Sequence, residues 1–70
     1  MKKPTSIEVL VNGVHKEEIE QLDAILSNEE FLTHKRVDYK FVITDIKDLN
    51  TALWVMSMLE SNHWRWHEYM

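Results

Sequence analysis

The sequence predicts a small α+β domain in which two helices pack on one face of a small sheet, in the order β-α-β-α. Two stretches, residues 7–11 and 37–46, alternate apolar and polar positions with the period of two that half-buried strands show. Two others, residues 15–26 and 48–61, place apolar residues at the three- and four-residue spacing of helices. Seventy residues make one domain, residues 1–70.

The first predicted strand, residues 7–11, follows a polar lead-in, residues 1–6. Asn12-Gly13 comes next, a dipeptide typical of tight turns, and Gly13 is the sole glycine of the chain. The chain could return from this turn as a short hairpin arm. The helical spacing that begins near residue 15 favours a helix instead.

The first predicted helix consists of strong helix formers. Ser27 and Glu30 fit a capping box, so we expect this helix to end near Leu26 and a short second helix to cover residues 29–34, with Phe31 and Leu32 on the core. The first predicted helix also carries a run of acidic residues on its outer face. A run of this kind usually marks a solvated surface, and its functional interpretation is a face that steers a basic partner. We call it the acidic face; against Lys16 alone, its members are Glu17, Glu18, Glu20 and Asp23.

Residues 37–46 form the clearest predicted strand because they are rich in β-branched and aromatic residues. If the two predicted strands are neighbours, Lys40, on the polar side of the second, can pair with Glu8 of the first. A crossover connection through the first helix would then make the two strands parallel. Two strands alone are unstable, so the sheet needs a hairpin at Asn12-Gly13, a third strand from the tail, or completion by dimerisation. The residues predicted to face the core are Val37, Tyr39, Phe41 and Ile43.

The second predicted helix, capped by Asp48, Asn50 or Thr51, contains the most apolar stretch of the chain. Trp54 and Met58 lie outside its main stripe, where a surface helix normally presents polar groups. Either the rest of the chain covers these two side chains, or they contact another protein chain, a copy of this one or a partner. The stripe predicted to face the core consists of Leu49, Ala52, Leu53, Val55, Met56 and Leu59.

The function that can be inferred for the aromatic tail, residues 63–70, depends on its conformation. In a continuous helix, Glu60, His63 and His67 share one side, a weak candidate set for Zn²⁺; such histidines are more often packed or placed favourably against the helix dipole, so no metal is assigned. If the helix stops at residues 61–62, the tail is extended and puts Trp64 and Trp66 on one face. The other face then carries His63, Arg65, His67 and Tyr69.

The composition argues against several functions. A net charge of −4 disfavours general binding of nucleic acid or anionic membranes. The chain has no Cys, no Gly-rich phosphate loop and no serine in a recognisable nucleophile elbow, and a domain of this size has little room for an enzyme cleft. No stretch approaches the roughly 20 apolar residues that span a bilayer. We therefore expect a cytoplasmic protein that is not an enzyme and binds no cofactor.

Together these features predict a small acidic module that binds another protein or a second copy of itself. Its anchor is Trp54 and Met58 with the tail residues Trp64 and Trp66, beside the acidic face. The alternatives are a nucleic-acid-binding regulator that uses the aromatic and basic tail, and a structural homodimer with no independent activity. In general character the chain resembles the small inhibitor or adapter proteins that phages and other mobile elements encode, although no motif identifies a family.

Overall fold

The computed structural model describes residues 2–70; Met1, the first residue of the predicted lead-in, lies outside the described residues. This range confirms the predicted α+β class, with two helices packed against a small sheet, but it contains four strands rather than two. In chain order the elements are β1 (Ser6–Leu10), α1 (Lys16–Ser27), β2 (Thr33–Val37), β3 (Lys40–Thr44), α2 (Leu49–Ser61) and β4 (Arg65–Tyr69).

The sheet has the strand order β2-β3-β1-β4, and all neighbouring strands within residues 2–70 are antiparallel. The expectation that the two predicted strands would run parallel if they were neighbours is wrong, because β1 pairs with β3 in the antiparallel sense and places Ile7 opposite Ile43. Strands β1 and β2, which α1 connects, are parallel to each other with β3 inserted between them. This is the split β-α-β, or ferredoxin-like, arrangement.

The predicted strand at residues 37–46 is in fact the turn and second arm of a hairpin. Asp38 adopts a positive φ of 54°, a conformation that Asp tolerates better than most residues, and the chain reverses there. The reversal leaves Val37 and Tyr39 exposed rather than in the core, whereas Phe41 and Ile43 are buried as predicted. The short helix predicted at residues 29–34 is also wrong, since a turn there leads into β2.

The core lies between the helices and one face of the sheet. On α2 the buried side is centred on Ala52, Val55 and Leu59. At 100° per residue Leu53 lies about 127° from that centre, and it is 38% exposed, so the predicted stripe was too wide. The strands and α1 supply the remaining central members of the core: Ile7, Val9, Phe41, Ile43, Ile19, Leu22 and Leu26. Of the pair predicted after α1, Leu32 is buried but Phe31 is exposed.

The ends of the helices follow local signals in the sequence. Of the three candidate caps, Asp48 is the one that caps α2, because its Oδ1 accepts a hydrogen bond of 2.7 Å from the backbone N–H of Thr51. At the other end, the Asn62 side chain donates to the Met58 carbonyl oxygen at 2.8 Å, and His63 takes a positive φ of 60° that stops the helix. The tail is therefore extended, and it supplies the predicted additional strand as β4 at one edge of the sheet.

Candidate protein-binding surface

A groove of about 180 Å³ lies where the start of α1 meets the end of α2. Ile25, which is 39% exposed, and Met58 form apolar parts of its walls, while Glu18 and Asn62 supply polar ones. The volume is close to that of a cavity that holds one benzene-sized group and below the several hundred Å³ of typical small-molecule sites. The groove is thus sized for a side chain of a macromolecular partner.

Trp54 extends this apolar surface along α2. It precedes Met58 by one helical turn, so the two side chains lie on the same side of the helix. Trp54 remains 42% exposed, whereas Met58 packs partly against the core. The groove and Trp54 together form the apolar surface to which we refer below as the helix groove: Ile25, Trp54, Met58 and Trp64, with Glu18 at its margin.

The two tail tryptophans have different surroundings. Both are half-buried and pack against the core. Trp64 also lines the groove, next to the end of α2. Trp66 lies opposite Val9, a fully buried residue of β1, so the register directs its ring to the covered face of the sheet. The four residues predicted as one anchor are therefore divided between the helix groove and the border of the core.

The acidic face also consists of two groups, because some of its carboxylates form ion pairs and others do not. The Oδ1 of Asp23 lies 2.7 Å from the Nε2 of His34, a contact that ties α1 to β2. Glu20 lies 3.9 Å from the Nζ of Lys16, at a spacing of four residues on one exposed helix face. Within residues 2–70, Glu17 and Glu18 take part in no ion pair, and of these two only Glu18 lines the groove.

The weak metal candidates are distributed over three elements. Glu60 belongs to α2, His63 to the following turn and His67 to β4, so the continuous helix that would align them is absent from the described chain. No group of three or more potential ligands suited to a metal ion occurs within residues 2–70. The geometry therefore provides no built metal site in this region.

The other face of the sheet confirms the predicted pairing of Glu8 with Lys40. The Nζ of Lys40 lies 3.0 Å from the Oε1 of Glu8, across the antiparallel pair of β1 and β3. This hydrogen bond, together with the negative charge of Glu8, raises the pKa of Lys40 above its ordinary value of 10.5. Lys40 consequently stays charged at neutral pH.

Residues of the helix groove that the sequence analysis did not single out are Gln21, Ile25 and Asn62. Ile25 follows the helical apolar spacing of α1, which indicated a core position. Its side chain is nevertheless 39% exposed and lines the groove. A contact between two helices distant in sequence has no local signal that could have identified these residues.

Comparisons with protein-family models, with curated proteins and with solved structures find no match to this chain. Within residues 2–70, neither helix has the combination of length and apolar character that crossing a membrane requires. The ferredoxin-like arrangement hosts many unrelated activities, so the topology does not assign a function. What this chain does must therefore be argued from its surfaces.

Proposed function

We propose that this chain is a protein-binding module that holds a basic, amphipathic helical segment of its partner in the helix groove, and so acts as an inhibitor or adapter. The observation that carries the proposal is the exposed Trp54 beside a groove of about 180 Å³. Tryptophan is the side chain most enriched among residues that dominate binding energy at protein interfaces. An apolar groove between two helices is also a common receptor for the apolar face of a third.

The charges at the margin of the groove select the chemistry of the partner. Glu18 lines the groove and takes part in no ion pair within residues 2–70, so it places an unpaired negative charge at the groove. Glu17, also unpaired in this range, adds a negative charge on the neighbouring surface of α1. A partner helix with Lys or Arg flanking its apolar anchors would be attracted during encounter and oriented on binding. A second copy is a less complementary occupant, because it carries the same net charge of −4 instead of the positive charge of a basic segment.

The test is a titration with a designed amphipathic peptide that has Leu and Trp on one face and Lys and Arg on the other. We expect Trp54→Ser to weaken binding about 30-fold, the loss typical of an interface hot spot. Leu53→Ser is the matched control, because Leu53 is the neighbouring residue, is similarly exposed at 38% and lies away from the groove. It should weaken binding less than about 3-fold.

Three further measurements complete the design. Circular dichroism checks that both variants are folded, and a peptide with Glu in place of Lys and Arg checks the role of charge. Sedimentation of the chain alone, from micromolar to near-millimolar concentration, checks for self-association. Equal effects of the two serine variants, or equal binding of the acidic peptide, would contradict the proposal. A stable dimer disrupted by Trp54→Ser would identify a second copy as the occupant instead.

A further inference from the structure

The sheet face turned away from the helices is a second surface, with a chemistry different from that of the helix groove. Residues directly opposite each other in antiparallel strands share a face. Glu8 lies opposite both Val42 and His67, and Val42 lies opposite Lys35, so one row crosses all four strands. No element within residues 2–70 packs on this side, which we call the open face.

The charge of the open face is opposite to that of the whole chain. Its positive side chains in the described structure are Lys35 on β2, Lys40 on β3 and Arg65 on β4. Its carboxylate, Glu8, accepts hydrogen bonds from Lys40 at 3.0 Å and from the Tyr69 hydroxyl at 3.4 Å. The carboxylate is thus satisfied locally, and a net positive surface lies on a protein whose total charge is −4.

Aromatic rings stand next to these cations on β4. His67 and Tyr69 alternate with covered positions, and their ring centroids are 4.6 Å apart with the planes tilted by 73°. Tyr69 is 43% exposed, and Arg65 precedes the pair on the same face. These rings line an open depression of about 560 Å³ along β4. Its other lining residues are Glu8, Leu10, Arg65, Trp64, Trp66 and Glu60, so a second carboxylate, from α2, also borders it.

We propose that the open face binds an unpaired stretch of nucleic acid, with bases stacked on Tyr69 and His67 and phosphates on Lys35, Lys40 and Arg65. Stacking on aromatic rings combined with backbone contacts to cations is the general way in which proteins hold single strands. Sheets of this size use it for two or three bases. Three spacings between neighbouring strands give a width of about 14 Å, which matches such a short contact.

The surface fits a single strand better than a duplex or an acidic protein. A duplex hides the faces of its bases, and a flat sheet does not enter its grooves as a helix or ribbon does. An acidic peptide would use the cations but would leave the rings of His67 and Tyr69 without a stacking partner. The proposal rests on side chains other than those that carry the helix-groove proposal, although Trp64 lines both the groove and the depression along β4.

The test measures the anisotropy of a labelled oligothymidylate of about eight nucleotides, a length within the usual site size. With three phosphate contacts, the affinity should fall about 20-fold between 50 and 200 mM salt, since each contact contributes about 0.7 to the logarithmic slope for a single strand. Lys35→Gln should weaken binding and reduce this fall to about 7-fold. Tyr69→Leu should weaken binding at least about 5-fold through loss of stacking.

Each of the two variants has a matched control on the β2–β3 hairpin. Arg36→Gln removes a positive charge next to Lys35, but Arg36 lies opposite Phe41 and so belongs to the other side of the sheet. Tyr39→Leu removes a more exposed tyrosine, at the tip of the β2–β3 turn. Both controls, and Trp54→Ser of the helix groove, should bind the oligonucleotide as the unaltered chain does.

Several results would overturn the inference. Absence of binding at about 20 mM salt would remove it outright, because electrostatic contacts are strongest there. Equal losses in Lys35→Gln and Arg36→Gln would show attraction to charge without a defined face. A duplex of equal length that binds as tightly would refute the single-strand assignment. Competition by polyglutamate as effective as that by the oligonucleotide would identify an acidic protein as the ligand instead.

Discussion

Truncation of two leucines on α2 tests the orientation of this helix, on which the helix groove depends. Leu59 is fully buried, whereas Leu53 is 38% exposed. Leu59→Ala removes about three buried carbons at roughly 0.8 kcal/mol each and leaves a cavity, so we expect a loss of about 3 kcal/mol. Leu53→Ala leaves no enclosed cavity and removes a partly hydrated side chain, for an expected loss of about 1 kcal/mol.

The comparison is controlled because both substitutions make the same change in the interior of the same helix, so the difference in helix propensity cancels. A domain of this size has a free energy of unfolding of roughly 4 to 10 kcal/mol, so the larger loss is a major fraction of the total. Urea denaturation, followed by circular dichroism and fitted with one slope of free energy against urea concentration, gives the loss of stability for each variant. Sulfate is added to keep Leu59→Ala folded. Equal losses at the two positions would refute the orientation of α2 described above.

Two further predictions concern contacts that fix the ends and edges of the fold. The hydrogen bond from the Thr51 amide lowers the pKa of Asp48 below its ordinary value of 3.8. Its ionised carboxyl therefore stabilises the folded state above that value, and the contribution is lost as the pH falls through the lowered pKa. Asp48→Asn keeps a capping side chain, so its stability difference from the unaltered chain should shrink below about pH 3.8 in acid unfolding; a constant difference would contradict this. A double-mutant cycle with Asp23→Ala and His34→Ala should give a coupling energy of about 1 kcal/mol for their 2.7 Å contact, and additive losses would show that the contact contributes nothing.

The elements predicted from the sequence are those encoded by a few neighbouring residues. The alternation around Ile7, the turn at Asn12-Gly13 and the cap at Asp48 each act within one or two turns of chain, and the structure confirms all three elements that they predict. The extended alternative for the tail was foreseen for the same reason, because Asn62 is a suitable residue to end a helix.

The hairpin of β2 and β3 was missed because its turn has no strong local signal. Asp38-Tyr39 contains neither Gly nor Pro, and the alternation of apolar residues continues through it, so residues 37–46 resemble one long strand. The polar sequence of β2 becomes a strand through its hydrogen bonds to β3. Such pairing depends on a partner strand rather than on the residues of β2 themselves.

The helix groove and the open face show how much of the functional surface depends on tertiary structure. Trp54 was singled out by its position outside the main stripe of α2, but only the tertiary structure leaves it exposed and brings Ile25 and Asn62 together in one groove. The net charge of −4 argued against nucleic acid, yet it is an average over the whole chain. The fold collects Lys35, Lys40 and Arg65 on one side of the sheet.

By itself, the sequence determined the α+β class, both long helices and the first strand, since periodicity and capping are local properties of the chain. Only the tertiary structure decided the strand order, the rotation of α2 that buries Leu59 and exposes Leu53, and the separation of acidic and basic faces. The physical reason is that strand pairing and burial are contacts between residues far apart in the chain. Their free energies depend on which partners meet, and no single segment contains that information.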